Sequence, residues 1–350
     1  MSVVSREVLE RRLPLRRPLS TGAGALTERA VLLFMVRDRE GRVGVGESAP
    51  LPWAGTEDLS MSRAALDAAV HGQAPDPSKT PAASAAVELA QLDLECKRAG
   101  LPLCRRLSAT AAADVGVNAL LSGADQTELV DAAVEAVEAG FRTLKLKVGA
   151  GPTPSLDRDR ARVAAVRAAI GPGPRLRLDA NGAWSLEAAA TALATLAEAD
   201  IELIEQPVAD GPEAVAQLGT LRAASPIPIA ADESATSVER VAALLAASAM
   251  DILVLKPMRL GGLARSLECA RRAQEAGVPV VVTTFLGSAV ERAAALHLAA
   301  CVDAGNPRPL DHGLATAGLL SSDVAAPLPI SHGRMSPPLG PGHGVVPQIP

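Results

Sequence analysis

Five successive stretches of this 350-residue chain place a charged residue where a short apolar run ends. In Leu144-Lys145-Leu146-Lys147-Val148 the lysines share one face of an extended segment and the leucines the other. Arg175, Arg177 and Asp179 alternate with Leu176 and Leu178 in the same way. The run 201–205 ends in Glu205 and continues Gln206-Pro207, and the run 227–232 ends in Asp232 and continues Glu233-Ser234. The run 251–256 ends in Lys256 and meets Pro257. A strand buried in a parallel sheet is normally apolar throughout, so these polar ends need a reason. Singly, each reads as a solvated terminus or a surface ion pair. Together they put charge at consecutive strand ends, where barrel enzymes keep their chemistry. Three converging carboxylates repel one another unless a cation neutralises them, and with no His or Cys nearby the oxygen set suits Mg2+ or Mn2+. Two flanking lysines, partly desolvated, would have lowered pKa values and exchange protons near neutrality.

The elements that position these residues follow a period. Apolar runs marked by residues 117, 145, 179, 205, 232, 256, 283 and 310 are separated by 28, 34, 26, 27, 24, 27 and 27 positions. Ala/Leu/Glu/Arg-rich stretches of helical character fill the gaps. A βα unit takes about 30 residues, and eight of them close a barrel of roughly 250. A doubly wound open sheet is the competing layout; eight units and no GxGxxG after the first run favour a (β/α)8-type barrel, a modified TIM barrel.

The first hundred residues read as mixed α and β. A strand is expected over 31–36, a turn over 38–44, and helices over 61–70 and 83–97, the second stopped by Gly100 and Pro102. Residues 108–114 mark a boundary. The N-terminal arginines 6, 11, 12, 16 and 17 are interrupted by Glu7 and Glu10, which suits a strand with a solvated face better than a transit peptide.

Composition narrows the function classes. The net charge of −5 argues against a dedicated nucleic-acid binder, and three Phe, two Trp and no Tyr are too few for base-stacking platforms. No apolar run approaches the roughly 20 residues that span a bilayer. Cys96, Cys104, Cys269 and Cys301 lack CxxC spacing and sit in apolar stretches, as buried free thiols do in a reducing cytoplasm.

The set Lys145-Leu146-Lys147, Leu178-Asp179-Ala180-Asn181-Gly182-Ala183-Trp184, Ile204-Glu205-Gln206-Pro207, Ala231-Asp232-Glu233-Ser234 and Leu255-Lys256-Pro257 resembles the enolase superfamily, muconate-lactonizing-enzyme subgroup. Gly44-Val45-Gly46-Glu47-Ser48-Ala49-Pro50-Leu51-Pro52 resembles that family's capping-domain loop, so the likeness covers nearly the whole chain. It implies an α+β capping domain over residues 1–110, a tail 331–350 returning to it, and a catalytic barrel over 115–330. It also implies that Asp179, Glu205 and Asp232 bind Mg2+, with Mn2+ able to substitute. Lys147 and Lys256 are then acid/base groups on opposite faces of a small-molecule carboxylate, with Lys145 supporting Lys147. Asn181, Glu233, Arg177 and Trp53 are candidates for substrate contact or support. The superfamily's pattern is α-proton removal by a lysine beside the metal, followed by elimination, epimerisation or cycloisomerisation.

Within the subgroup, residues 46–52, 178–184 and 313–320 resemble the o-succinylbenzoate synthases of menaquinone biosynthesis. That likeness implies a lyase in which Lys147 moves the proton and Lys256 stabilises charge. Gly313-Leu314-Ala315-Thr316 departs from the usual Gly-Leu-Gly-Thr, and Leu310-Asp311-His312 is not the Asp-x-Asp of dipeptide epimerases, although Asp311 alone could hold an amine. Epimerisation of dipeptides or N-acylamino acids and muconate-type cycloisomerisation stay open as alternatives; a barrel without catalysis is disfavoured by the complete lysine and carboxylate set. Residues 21–24 offer a hinge, and Leu51-Pro52-Trp53 an apolar wall of the lid or ordinary core packing.

Overall fold

The computed structural model describes residues 3–21, 24–123, 125–149 and 155–348. β1 (Val3–Thr21) and β2 (Gly24–Asp38) pair antiparallel, and β3 (Val43–Ser48) joins the other edge of β2. The arginine-rich N-terminal run is therefore a strand, with Arg11 opposite Val31. The central residues of the hinge expected over 21–24, Gly22 and Ala23, lie outside the described residues.

β2 is apolar on both faces because both are covered. Leu32, Phe34 and Val36 pack with α1 (Leu59–Val70) and α2 (Pro81–Ala99), while Val31, Leu33 and Met35 face the main core. Pro81 opens α2 at its first position and Gly100, at φ 68°, closes it. The helix lies so close to β3 that a Cβ on Gly44 or Gly46 would collide with the carbonyls of Ala90 and Ala86.

After α3 (Leu103–Leu107) the alternation begins. It runs β4 (Val115–Gly116), β5 (Ala119–Leu121), α4 (Gln126–Glu138), β6 (Thr143–Lys147), α5 (Leu156–Ile170), β7 (Arg175–Asp179) and α6 (Leu186–Leu196). It continues β8 (Ile201–Glu205), α7 (Ala214–Ala224), β9 (Ile229–Ala231), α8 (Val238–Ala246) and β10 (Ile252–Leu255). Then come α9 (Pro257–Leu260), α10 (Leu263–Glu275), β11 (Val280–Val282), α11 (Ala289–Asp303) and β12 (Arg334–Met335). β5 to β11 lie parallel in sequence order. Asp125, Ser155, Ser185, Ser237 and Ser288 cap α4, α5, α6, α8 and α11 with their side chains.

The ends of the barrel are less regular than the period suggests. The eighth position is a bridge: His312 N donates to Gly116 O at 2.8 Å, and on the other side Gly313 N donates to Val282 O at 2.9 Å. A 3-10 turn, Ala317–Leu319, follows in place of an eighth helix. The first run is split, since Val115–Gly116 pairs with β12 and Ala119–Leu121 pairs with β6.

Carboxylates join the N-terminal sheet and helices to the barrel. Glu47 on β3 accepts from Ser288 N at 2.7 Å, at the start of α11. Glu88 on α2 accepts from Leu263 N at 2.5 Å and Ala264 N at 3.0 Å, at the start of α10. Each sets carboxyl oxygens against the free N–H groups at the positive end of a barrel helix. The C-terminal segment reaches the same joint: Asp93 accepts from Val45 N and His343 N, both at 2.9 Å.

Candidate active site

β6 to β10 carry the charged residues to one end of the barrel. Lys147 is in register with Asp179, and Asp179 with Glu205. Asp232 lies one residue beyond β9, and Lys256 one beyond β10. Leu144 and Leu146 are fully buried against the helix layer, which turns Lys145 and Lys147 to the barrel interior. Lys145 Nζ stands 2.8 Å from Asp179 Oδ2 and 2.6 Å from Glu205 Oε1. Lys256 Nζ pairs with Asp232 Oδ2, and Arg259 Nη2 donates to Asp232 Oδ1 at 2.6 Å and to its carbonyl at 2.5 Å. Among the described residues nothing hydrogen-bonds or ion-pairs with the Lys147 ammonium group; its backbone carbonyl accepts from Arg162 Nη1 at 3.2 Å.

Lys145, the supporting lysine, is held as a cation. Burial lowers its pKa, but Asp179, Glu205 and Asp232 outweigh burial and hold it well above the ordinary value. Burial pushes the Glu205 carboxyl up to about 8; Lys145 opposes this, and the charges of Asp179 and Asp232 add to it. Asp232 is buried too, yet Lys256, Arg259 and Lys145 keep its pKa below the usual carboxylate range.

These residues fit a divalent cation. Three buried carboxylates stand on adjacent strands, and burial, with the charges of Asp179 and Asp232 adding to it, raises the pKa of Glu205, a strain that a divalent cation would relieve. Among the described residues no three His, Cys, Asp or Glu side chains stand at chelating distance; the Lys145 ammonium bridges Asp179 and Glu205, and Lys256 pairs with Asp232.

The outer candidates divide. Asn181 Nδ2 donates to Glu233 Oε1 at 3.2 Å, and Asn181 N donates to Asp179 Oδ1 at 3.0 Å, so both belong to the carboxylate end. Arg177 is joined to that set by no hydrogen bond or ion pair among the described residues. It donates from Nε to Glu202 Oε2 at 2.5 Å and from Nη1 to the Asp311 carbonyl at 2.6 Å. Trp53 is 45% exposed, which removes the core-packing reading. The Asp311 carboxylate is engaged with Arg175, 2.9 Å away, the first residue of β7 and four positions before Asp179.

Two supporting residues went unassigned in the sequence. Gln206, fully buried at φ 41°, accepts from Asp232 N and Ser234 N, both at 3.1 Å, and donates to Val208 O and Ser234 Oγ, both at 2.8 Å. It holds the turn that presents Asp232. Its signal was an amide inside an apolar strand end. Arg259 returns to Asp232 because a helical turn starts at Pro257, and its spacing of three from Lys256 was the available clue.

The family model for the enolase C-terminal domain-like fold matches residues 128–349. The o-succinylbenzoate synthase of Mycobacterium tuberculosis is 46% identical over 154 residues, which is 43% of this chain and 44% of that protein. The match thus spans less than half the length of that relative. Muconate cycloisomerase 1 of Rhodococcus opacus is 29% identical over 367 residues, 99% of this chain and 96% of that one. The solved structure of dipeptide epimerase from Enterococcus faecalis, complexed with Mg and a dipeptide, superimposes with a TM-score of 0.87 at 26% identity, covering 99% of both chains. Fold, matched residues and full-length relatives agree, and the chain belongs to the enolase superfamily.

Proposed function

We propose that this protein removes the α-proton of a small carboxylate substrate and eliminates a hydroxyl group from the same face, giving o-succinylbenzoate. The observation that carries the reading is the placement of Lys147 and Lys256 at the ends of β6 and β10, flanking the strands that bear Asp179, Glu205 and Asp232. Mg2+ bound by those three carboxylates would supply a Lewis acid that makes the α-proton more acidic. Asn181 and Glu233 would support the ligands from the neighbouring strand ends.

In this reading the Lys147 amine nitrogen takes the proton as the C–H bond breaks. The electron pair forms the new ring double bond, the C–O bond breaks, and Lys147 returns its proton to the leaving hydroxyl, which departs as water. Lys256, paired with Asp232, faces the other side of the substrate as an ammonium and stabilises developing negative charge. Lys145 stays protonated and keeps the carboxylate set from repelling Lys147's substrate.

Dehydration is supported over epimerisation by the likeness to the mycobacterial synthase and by the engagement of Asp311 with Arg175. Four buried free thiols suit a reducing cytoplasm, and no helix among the described residues is long and apolar enough to cross a membrane. The test is incubation with the succinyl-bearing hydroxycyclohexadiene carboxylate and Mg2+, following the aromatic product by ultraviolet absorbance. Absence of that product, with deuterium entering an N-acylamino acid or dipeptide from D2O, would replace dehydration by epimerisation.

A further inference from the structure

Arg29, on β2, is 3% exposed, yet no carboxylate pairs with it directly among the described residues. Among the described residues its acceptors are all backbone carbonyls. Nη1 donates to Pro50 O at 3.2 Å and Nη2 to Ala49 O; Nε donates to Leu286 O at 3.0 Å and Nη2 reaches Phe285 O at 3.5 Å. Burying a guanidinium is costly, and apolar packing would join two layers at lower cost. What the guanidinium offers is a rigid fork that fixes several carbonyls at set distances.

The two segments it ties together both border Lys256. Ala49 N donates to Met258 Sδ at 3.2 Å, two residues past Lys256. Thr283 N donates to Leu255 O at 2.9 Å, so the end of β11 lies alongside the residue before Lys256. The turn that follows is strained: Leu286 has φ 58°, which a side chain larger than glycine's rarely adopts. Glu291 Oε1 holds it from below by accepting from Phe285 N at 3.0 Å, and Arg292 Nη1 donates to Gly287 O at 2.9 Å. Arg29 is the cap-side member of this brace.

We propose that Arg29 is a positioning residue. By clasping the Ala49-Pro50 carbonyls to the Phe285-Leu286 turn, it sets loop 49–53 beside Lys256 and so sets substrate affinity; the affinity part rests on the function proposed above. Arg29→Met keeps length and removes every donor, whereas Arg29→Lys keeps the charge without the fork. Amide hydrogen exchange, read by mass spectrometry on the full chain, is the first measurement. In Arg29→Met, segments 49–56 and 283–288 should lose protection together, on the order of ten-fold, while β6 to β9 keep theirs. With substrate, KM should rise about ten-fold with kcat nearly unchanged. Arg29→Lys should show the same paired loss, and guanidinium added to Arg29→Ala should restore both protection and KM.

Unchanged protection in either segment, or a uniform loss across the whole barrel, overturns the proposal. If Arg29→Met does not fold, Arg29→Lys decides by the same criterion. The exchange measurement needs no substrate, so a wild-type protein without turnover would count against the proposed function alone.

Discussion

Lys145 and Lys147 share a strand face two residues apart, yet their surroundings give them different work. Lys145 is held between Asp179 and Glu205 and keeps its proton despite burial, so it is a poor base. Lys147 has no such partner among the described residues, which leaves it the candidate for proton transfer. Lys147→Ala should therefore abolish α-proton exchange and turnover together, by about 10³-fold or more, in a D2O exchange assay with Mg2+. Lys256→Arg keeps the charge without the compact ammonium, and a trace of dehydration should survive. In an epimerase the same variant would stop exchange from one enantiomer and spare the other. The lysines and carboxylates were legible because charged types at strand ends break the apolar rule for buried strands. The direction of the Lys145 shift was not, because it depends on how many carboxylates stand within contact distance. That number exists only once three strands are in register.

At the scale of elements, the central strands were the most legible. β7 and β8 occupy the runs 175–179 and 201–205, because two-residue alternation and flanking turns mark both ends. The outermost strands were the least legible. The run 115–119 divides between two partners, one of them the late strand β12, and position eight is held by bridges from His312 to the distant Val117 and from Gly313 to Thr283. The supports between elements were hidden for the same reason. Gln206 acts on β9 from the end of β8, and its local signal, an amide at an apolar strand end, does not tell which groups its four hydrogen bonds reach. Gln206→Met keeps the volume but leaves Asp232 N and Ser234 N without an acceptor, at about 1–3 kcal/mol for each unpaired group. Urea unfolding should register that loss, and titration calorimetry should find weaker Mg2+ binding, since the Asp232 turn loosens.

For the molecule as a whole, buried titratable groups predict a stability that bends with pH in both directions. Burial lowers His297 from 6.5 to about 4, with a hydrogen bond to His343 O opposing. The unfolded chain therefore binds a proton that the folded one refuses, and this contribution to stability is lost as pH falls from 6.5 towards about 4. Burial raises Glu291 from 4.5 to about 8, aided by Glu47. Here the folded state holds the extra proton, so stability declines as pH rises from 4.5 through about 8. Thermal unfolding of Glu291→Gln should show a shallower alkaline decline, since Glu205 still titrates in the same range, and keep the acid one. Exhaustive chelation should abolish catalysis, with Mg2+ or Mn2+ restoring it; full activity after EDTA would refute the carboxylate centre. The seat at Asp93 bears on how the protein is made. Its partner His343 N lies 250 positions later in the chain, beyond every strand of the barrel. A ribosome therefore releases the N-terminal sheet and helices long before the group that completes their joint exists. Until then Asp93 lacks one of its donors, and the emerging layer is an unfinished surface waiting for its own distant end. Recombination between relatives meets the same constraint. An N-terminal layer grafted alone would arrive without the tail that seats it, so an exchange of specificity by shuffling must carry both ends of the chain together.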